Sequence, residues 1–186
     1  LKARLGLFSN PAARLDPARE SRLAAEPAHR ELARELARKS LVLLKNDRGT
    51  LPFSKGLRSI AVIGPLADSR RDMLGTWAVR GDPKYAVTVL EGVRRALPGA
   101  VVRHARGCPV DSADRSGFEE AVRLARQSEA VLLCIGESEH MSGEAASRAS
   151  LDIPGVQQEL VERVLKLGKP TAVALFNGRP LALVRL

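Results

Sequence analysis

Two periods of apolar spacing alternate along the chain, one helical and one extended. Over residues 27–45, Ala33, Ala37, Leu41 and Leu44 fall at i, i+4, i+8 and i+11, which predicts a helix with one apolar face. Asn46-Asp47-Arg48-Gly49 then supplies turn chemistry that ends it. Ser59–Ile63 reads as a short apolar strand closed by Gly64-Pro65. Val89, Val93, Ala96 and Leu97 mark a second helix, stopped by Pro98-Gly99, and residues 100–104 read as a strand. Phe118, Ala121, Val122 and Ala125 mark a third helix. Residues 130–135 form a continuous apolar run, as expected of a strand buried on both faces. Val156, Leu160 and Val164 mark a fourth helix, and Lys169-Pro170 leads into a last buried strand, Thr171–Phe176.

Strands that alternate with helices predict an α/β fold: a mostly parallel sheet with helices on both faces. In such sheets the loops at the carboxyl ends of the strands form the ligand crevice. One of these loops is unusual. The stretch GESEHMSGEAASR, residues 136–148, follows the strand at 130–135 and carries Glu137, Glu139, His140 and Glu144. A general acid at neutral pH needs a carboxyl held protonated by desolvation or by a neighbouring negative charge. A carboxylate cluster on a loop that another domain covers meets both conditions. Spacing alone favours a solvated acidic loop, since charge clusters are usually surface.

Composition narrows the function classes. The chain has 186 residues, 45% hydrophobic but only 3% aromatic, so its core is built from Leu, Val, Ile and Ala. The net charge of +9 raises the question of nucleic acid. The arginines, among them Arg30, Arg58, Arg80, Arg115 and Arg163, are dispersed, with no basic run and no interleaved aromatics. No nucleic-acid partner is expected. No apolar run approaches the roughly 18 residues of a membrane span, so no membrane partner is expected either. Cys134 lies within an apolar strand pattern and reads as a small core residue, and two cysteines do not define a redox compartment. Residues 1–26 are rich in Ala, Arg and Pro and read as a linker or a tail from a preceding domain. The chain opens with LKARLGLFSNP, which has no initiator Met and no long apolar segment of a signal peptide, so a fragment is expected and its compartment stays open.

Other chemistries find little support. IAVIGPLAD at 60–68 starts like a dinucleotide fingerprint but lacks G-x-G-x-x-G, and Pro65 removes a backbone N–H that a phosphate cradle uses. Ser138 follows Gly136 without the second glycine of a nucleophile elbow. His29, His104 and His140 lie far apart, and no second His stands at ligand spacing from His140. Neither a metal nor a cofactor is expected.

Five segments in order carry a family resemblance: LARKSLVLLKNDRGTLPF, IAVIGPLAD, GTW with TVLEGVR, VLLCIGESEHMSGEAASRASLDIPGVQQELV, and KPTAVALFNGRPLAL. Together they span roughly residues 28–186 and resemble the second domain of family 3 glycoside hydrolases, the β-glucosidase and β-xylosidase type. The resemblance implies a TIM-like barrel followed by a three-layer α/β/α sandwich with a mostly parallel sheet of about five to six strands. It implies domains at 1–26, a tail of the barrel, and 27–186, the sandwich, truncated at its C-terminus. It further implies hydrolysis of terminal β-linked sugars with retention, the nucleophilic aspartate lying on the barrel in a Ser-Asp-Trp-type motif that this chain lacks. Ser142-Gly143-Glu144 with Ser147-Arg148 matches the family segment S-G-E-x-x-S-R, which makes Glu144 the implied general acid/base, with Ser142 and Arg148 beside it. Glu137 matches a recurrent family position, and Trp77 one where relatives place an aromatic wall of the leaving-group subsite. The implied partners are a β-glucoside or β-xyloside, as oligosaccharide or aryl glycoside, and the barrel of the same chain. A non-catalytic carbohydrate-binding or scaffold domain of the same fold is the alternative.

Overall fold

The computed structural model describes residues 1–12, 15–24 and 26–183. The chain divides into two compact units, Leu1–Lys45 and Asn46–Leu186. No helix among the described residues is long and apolar enough to cross a membrane.

The first unit holds helices α1, Pro17–Ala24, and α2, Pro27–Ser40. Asp16 Oδ1 accepts from the backbone N–H groups of Ala18 at 3.0 Å and Arg19 at 3.1 Å, satisfying donors that a helix start leaves unpaired. Helix α2 stops at Ser40, five residues before the predicted end at Lys45. Leu41-Val42-Leu43-Leu44 is apolar at consecutive positions and has no helical period of its own. Its first residue is already extended, with ψ 132°. Glu35 pairs with Arg38 and Lys39 along the helix, contacts worth a few tenths of a kcal/mol each.

The second unit opens on the predicted turn, where Asn46 pairs with both backbone groups of Leu51, at 2.7 and 3.0 Å. It then forms strands β1, Ser59–Ile63, β2, Val101–Ala105, β3, Ala130–Gly136, and β4, Thr171–Phe176. All pairs are parallel, in the order β2-β1-β3-β4. Helices α3, Val89–Ala96, α4, Phe118–Arg126, and α5, Gln157–Leu165, connect them. The sheet has four strands among the described residues, where five to six were expected. Among the described residues, the chain beyond Phe176 turns at Asn177-Gly178 and stays irregular through residue 183, adding no further strand.

Both sheet faces are covered, which is why β3 reads as unbroken apolar sequence. Ala61, Ile63, Val131, Leu133 and Ile135 pack under α4 and α5. Val62 and Cys134, one position out of step, pack against Leu90 of α3 on the other face. Burial pushes the thiols of Cys108 and Cys134 up to about 11 and about 12, so neither is a nucleophile at neutral pH.

The strand order places a switch point between β1 and β3. From β1 the chain moves outward to β2, then crosses back to β3 and on to β4. Connections running in opposite directions put their helices on opposite faces, and the loops leaving β1 and β3 part there to open a crevice. Glycines shape both exits. Gly64 has φ +128°, and an added Cβ would stand 2.1 Å from the Cys134 carbonyl oxygen. Gly136 has φ +129°, and its Cβ would stand 1.9 Å from that of Phe176.

Candidate active site

The loop after β3 is rooted on a buried carboxylate. Glu137 is 3% exposed, and its N–H donates to the Phe176 carbonyl at 2.8 Å, prolonging the β3–β4 ladder. Its Oε1 accepts from Arg148 Nη1 at 2.9 Å, and its Oε2 from the Gly178 N–H at 3.2 Å. Arg179 Nε lies 3.1 Å from Oε1 but is misaligned for a hydrogen bond, so this contact is an ion pair without a directed bond. Arg148 Nη2 also donates to the Asp152 carbonyl at 3.2 Å, tying the far end of the loop to its root. A buried carboxylate facing two guanidinium groups in this way has its charge compensated by theirs.

The loop after β1 grips the same segment from the other side. Asp72 Oδ1 accepts from the Glu139 N–H at 2.7 Å, and Arg71 pairs with the Glu139 carboxylate, a hydrogen bond that raises the Arg71 pKa. Thr76 Oγ1 lies within hydrogen-bond reach of the Glu139 carbonyl, of the Ser142 carbonyl at 2.9 Å and of Ser142 Oγ at 3.0 Å. Gly143, at φ +104°, sits against Thr76, where a Cβ would come within 2.2 Å of the Thr76 methyl and 3.6 Å of the Trp77 ring. The Trp77 side chain is 70% exposed.

Glu144 stands at the exposed tip, between Gly143 and Ala145. Ala145 adopts φ +59°, a left-handed conformation that costs an L-residue about 1–2 kcal/mol. No hydrogen bond or ion pair holds the Glu144 carboxylate among the described residues. The structure therefore joins Glu137 and Arg148 directly, places Ser142 against Thr76, and sets Trp77 beside the residue preceding Glu144. No group of three or more His, Cys, Asp or Glu able to hold a metal ion occurs among the described residues. The arrangement offers a free carboxylate on the tethered loop after β3 and an exposed aromatic face on the neighbouring loop after β1. That equipment suits proton transfer to a polar ligand with an apolar surface.

Two supporting residues were not singled out from the sequence. Arg179 reads there as one more surface arginine, in a turn after the last strand. Gln157 reads as the polar start of an amphipathic helix, yet it is fully buried. Its Oε1 accepts from the Gly136 N–H at 2.9 Å, and its Nε2 donates to the carbonyls of Val110, Gly136 and Pro154, at 2.7, 2.8 and 3.2 Å. The only sequence signal was a polar residue next to the apolar stripe of α5. Gln157→Leu strands these backbone groups in the core and should destabilise the chain by about 3 kcal/mol, read from urea unfolding. An unchanged midpoint would show that the groups find other partners.

Fold and site define an α/β sandwich domain with a carboxylate loop at its sheet switch point. The chain belongs to glycoside hydrolase family 3: the family model described as the glycosyl hydrolase family 3 C-terminal domain matches residues 41–186. It is 43% identical over 188 residues to a beta-xylosidase of Formosa agariphila, covering 98% of this chain and 26% of that protein. It is 38% identical over 209 residues to the periplasmic beta-glucosidase of Salmonella typhimurium, covering 100% of this chain and 27% of that protein. The crystal structure of a beta-glucosidase from Listeria innocua in complex with isofagomine superposes with a TM-score of 0.88 at 33% identity, over 99% of this chain and 25% of that one. The chain thus spans about a quarter of the length of these relatives.

Proposed function

We propose that this chain is the second domain of a retaining β-glycosidase and supplies its general acid/base, Glu144. The observation that carries this reading is the free carboxylate of Glu144 at the tip of a loop rooted at the switch point, beside the exposed ring of Trp77. In a retaining mechanism one carboxyl attacks the anomeric carbon, while the other protonates the departing oxygen and later deprotonates water. The two stand about 5–5.5 Å apart. Here the nucleophilic aspartate belongs to a TIM-like barrel ahead of residues 1–26, which form its tail, and residues 27–186 form the sandwich that brings Glu144 across the sugar. Such an interface takes the carboxyl out of water and brings it close to a second carboxylate, the surroundings that general acid catalysis calls for.

Trp77 stacks on the apolar face of a sugar in the leaving-group subsite. Ser142 serves substrate binding from the loop after β3 that carries Glu144. Glu137 and Arg148 direct their polar atoms at each other and at the loop backbone, and so serve substrate binding through the loop they hold. The substrates are terminal non-reducing β-glucosides or β-xylosides, as oligosaccharides or aryl glycosides, in keeping with the names of the relatives.

The isolated chain holds one half of the reaction. It is expected to show no turnover of aryl β-glucosides or β-xylosides, whereas the full-length protein hydrolyses them with retention, followed by proton NMR of the released sugar. Turnover by the purified chain alone overturns the split site. Sugar binding without hydrolysis by the full-length protein favours a non-catalytic carbohydrate-binding domain instead.

A further inference from the structure

We propose that Arg179 is a positioning residue that sets the direction of the acid/base loop, an inference that rests on the assignment of Glu144. One guanidinium touches the loop at three places. Its Nε stands 3.1 Å from the Glu137 carboxylate at the root. Its Nη2 donates to the carbonyls of Met141 and, at 2.7 Å, Ala146. These two carbonyls flank residues 142–145, the segment that carries Glu144. The side chain is 19% exposed and lies under the loop rather than at its solvent side.

The turn that presents Arg179 is itself built for close approach. Asn177 Nδ2 donates to the Arg179 carbonyl at 2.7 Å and closes the turn after β4. Gly178 donates its N–H to Glu137 and leaves room for Ser142, whose Oγ would stand 1.9 Å from a Cβ at position 178. The end of β4 thus meets the β3 loop at its root and at its tip.

The tip has reason to need a tether. Ala145 is held at φ +59°, a conformation that persists only where its surroundings impose it. With the two flanking carbonyls gathered onto one planar cation, the backbone between them has one path, and the Glu144 side chain leaves it in one direction. Lysine cannot reproduce this, because a single ammonium does not serve a carboxylate and two carbonyls in a fixed fork geometry. General acid catalysis is sensitive to such placement, and an error of about 1 Å costs up to about 100-fold in rate.

The test is a leaving-group series in the full-length enzyme. Arg179→Lys keeps a positive charge beside Glu137, and Arg179→Ala removes it. Each is assayed on aryl β-glycosides from dinitrophenyl to unactivated phenols, beside Glu144→Ala, with folding checked by thermal melting. The expected result for Arg179→Lys is a loss of about 10–100-fold in kcat/KM on unactivated substrates and little loss on dinitrophenyl glycosides. Its leaving-group dependence then approaches that of Glu144→Ala. Should Arg179→Ala not fold, Arg179→Lys alone carries the comparison. An equal loss across the series marks a purely structural arginine and overturns the proposal, as does an unchanged profile. If Glu144→Ala itself shows no leaving-group dependence, the acid/base assignment has failed. If Glu144→Ala shows it and the Arg179 variants do not, only the positioning role has failed.

Discussion

Replacing Glu144 by alanine in the full-length enzyme is expected to lower kcat/KM on glycosides with poor leaving groups by about 10²–10⁴-fold. On dinitrophenyl glycosides the loss should be far smaller. The asymmetry follows from the role. A poor leaving group departs only if its oxygen is protonated as the bond breaks, whereas a dinitrophenolate departs unaided. Glycosyl-enzyme then accumulates on the activated substrate, because the water that releases it has lost its base. Azide needs no base, so added azide should restore turnover and yield a glycosyl azide of retained configuration. The small space left by the missing carboxylate lies at an exposed tip beside Gly143, where an anion can enter. If Glu137→Ala shows azide rescue and Glu144→Ala does not, the assignment of the proton donor is wrong.

Glu137→Ala is expected to act on the fold instead. Removing one member of a buried ion pair leaves uncompensated charge, at a cost of about 3–5 kcal/mol. Here the loss leaves two guanidinium groups, of Arg148 and Arg179, facing one another without their shared carboxylate. Both arginine side chains are about a fifth exposed, at 21% and 19%, so water offsets part of the cost and the lower end applies, about 3 kcal/mol. Urea unfolding of the chain measures it as a fall in midpoint. Glu137→Gln keeps an acceptor for the Gly178 N–H but not the charge, and should fall between wild type and Glu137→Ala. A midpoint unmoved by Glu137→Ala would mean that the two arginines are held by other contacts, and the loop would then lack the root described for it.

The same two residues show how far the sequence could be read. Glu137 and Glu144 lie in one polar stretch and are chemically identical, so spacing could not separate them. Packing does: the first carboxylate is enclosed by Arg148, Arg179 and the Gly178 N–H, while the second has no partner among the described residues. Arg179 lies 42 residues from Glu137 in the chain. Only the parallel pairing of β3 with β4 brings the two strand ends together, through Gly136 opposite Phe176. Thr76 and Asp72 reach the loop by the same route, because β1 is the other neighbour of β3. Gln157 stayed hidden for a related reason. Its polarity matched the solvent side of an amphipathic helix, and only the crowding of three backbone segments around it turned that polarity inward.

The sequence by itself determined the strands, the helices that connect them and the parallel α/β class, because these depend on apolar spacing within a few residues. All four strands lie within one residue of the boundaries read from it. Helix α2 was read too long, because Leu41 and Leu44 fit a helical period by coincidence within an unbroken apolar run. The ordered motifs pointed to family 3, and the match over residues 41–186 places the chain in it. Tertiary structure alone decided the strand order, the partners of each carboxylate and the tether of the loop. Those depend on contacts between distant segments, and the energy of a charge depends on what surrounds it once the chain has folded.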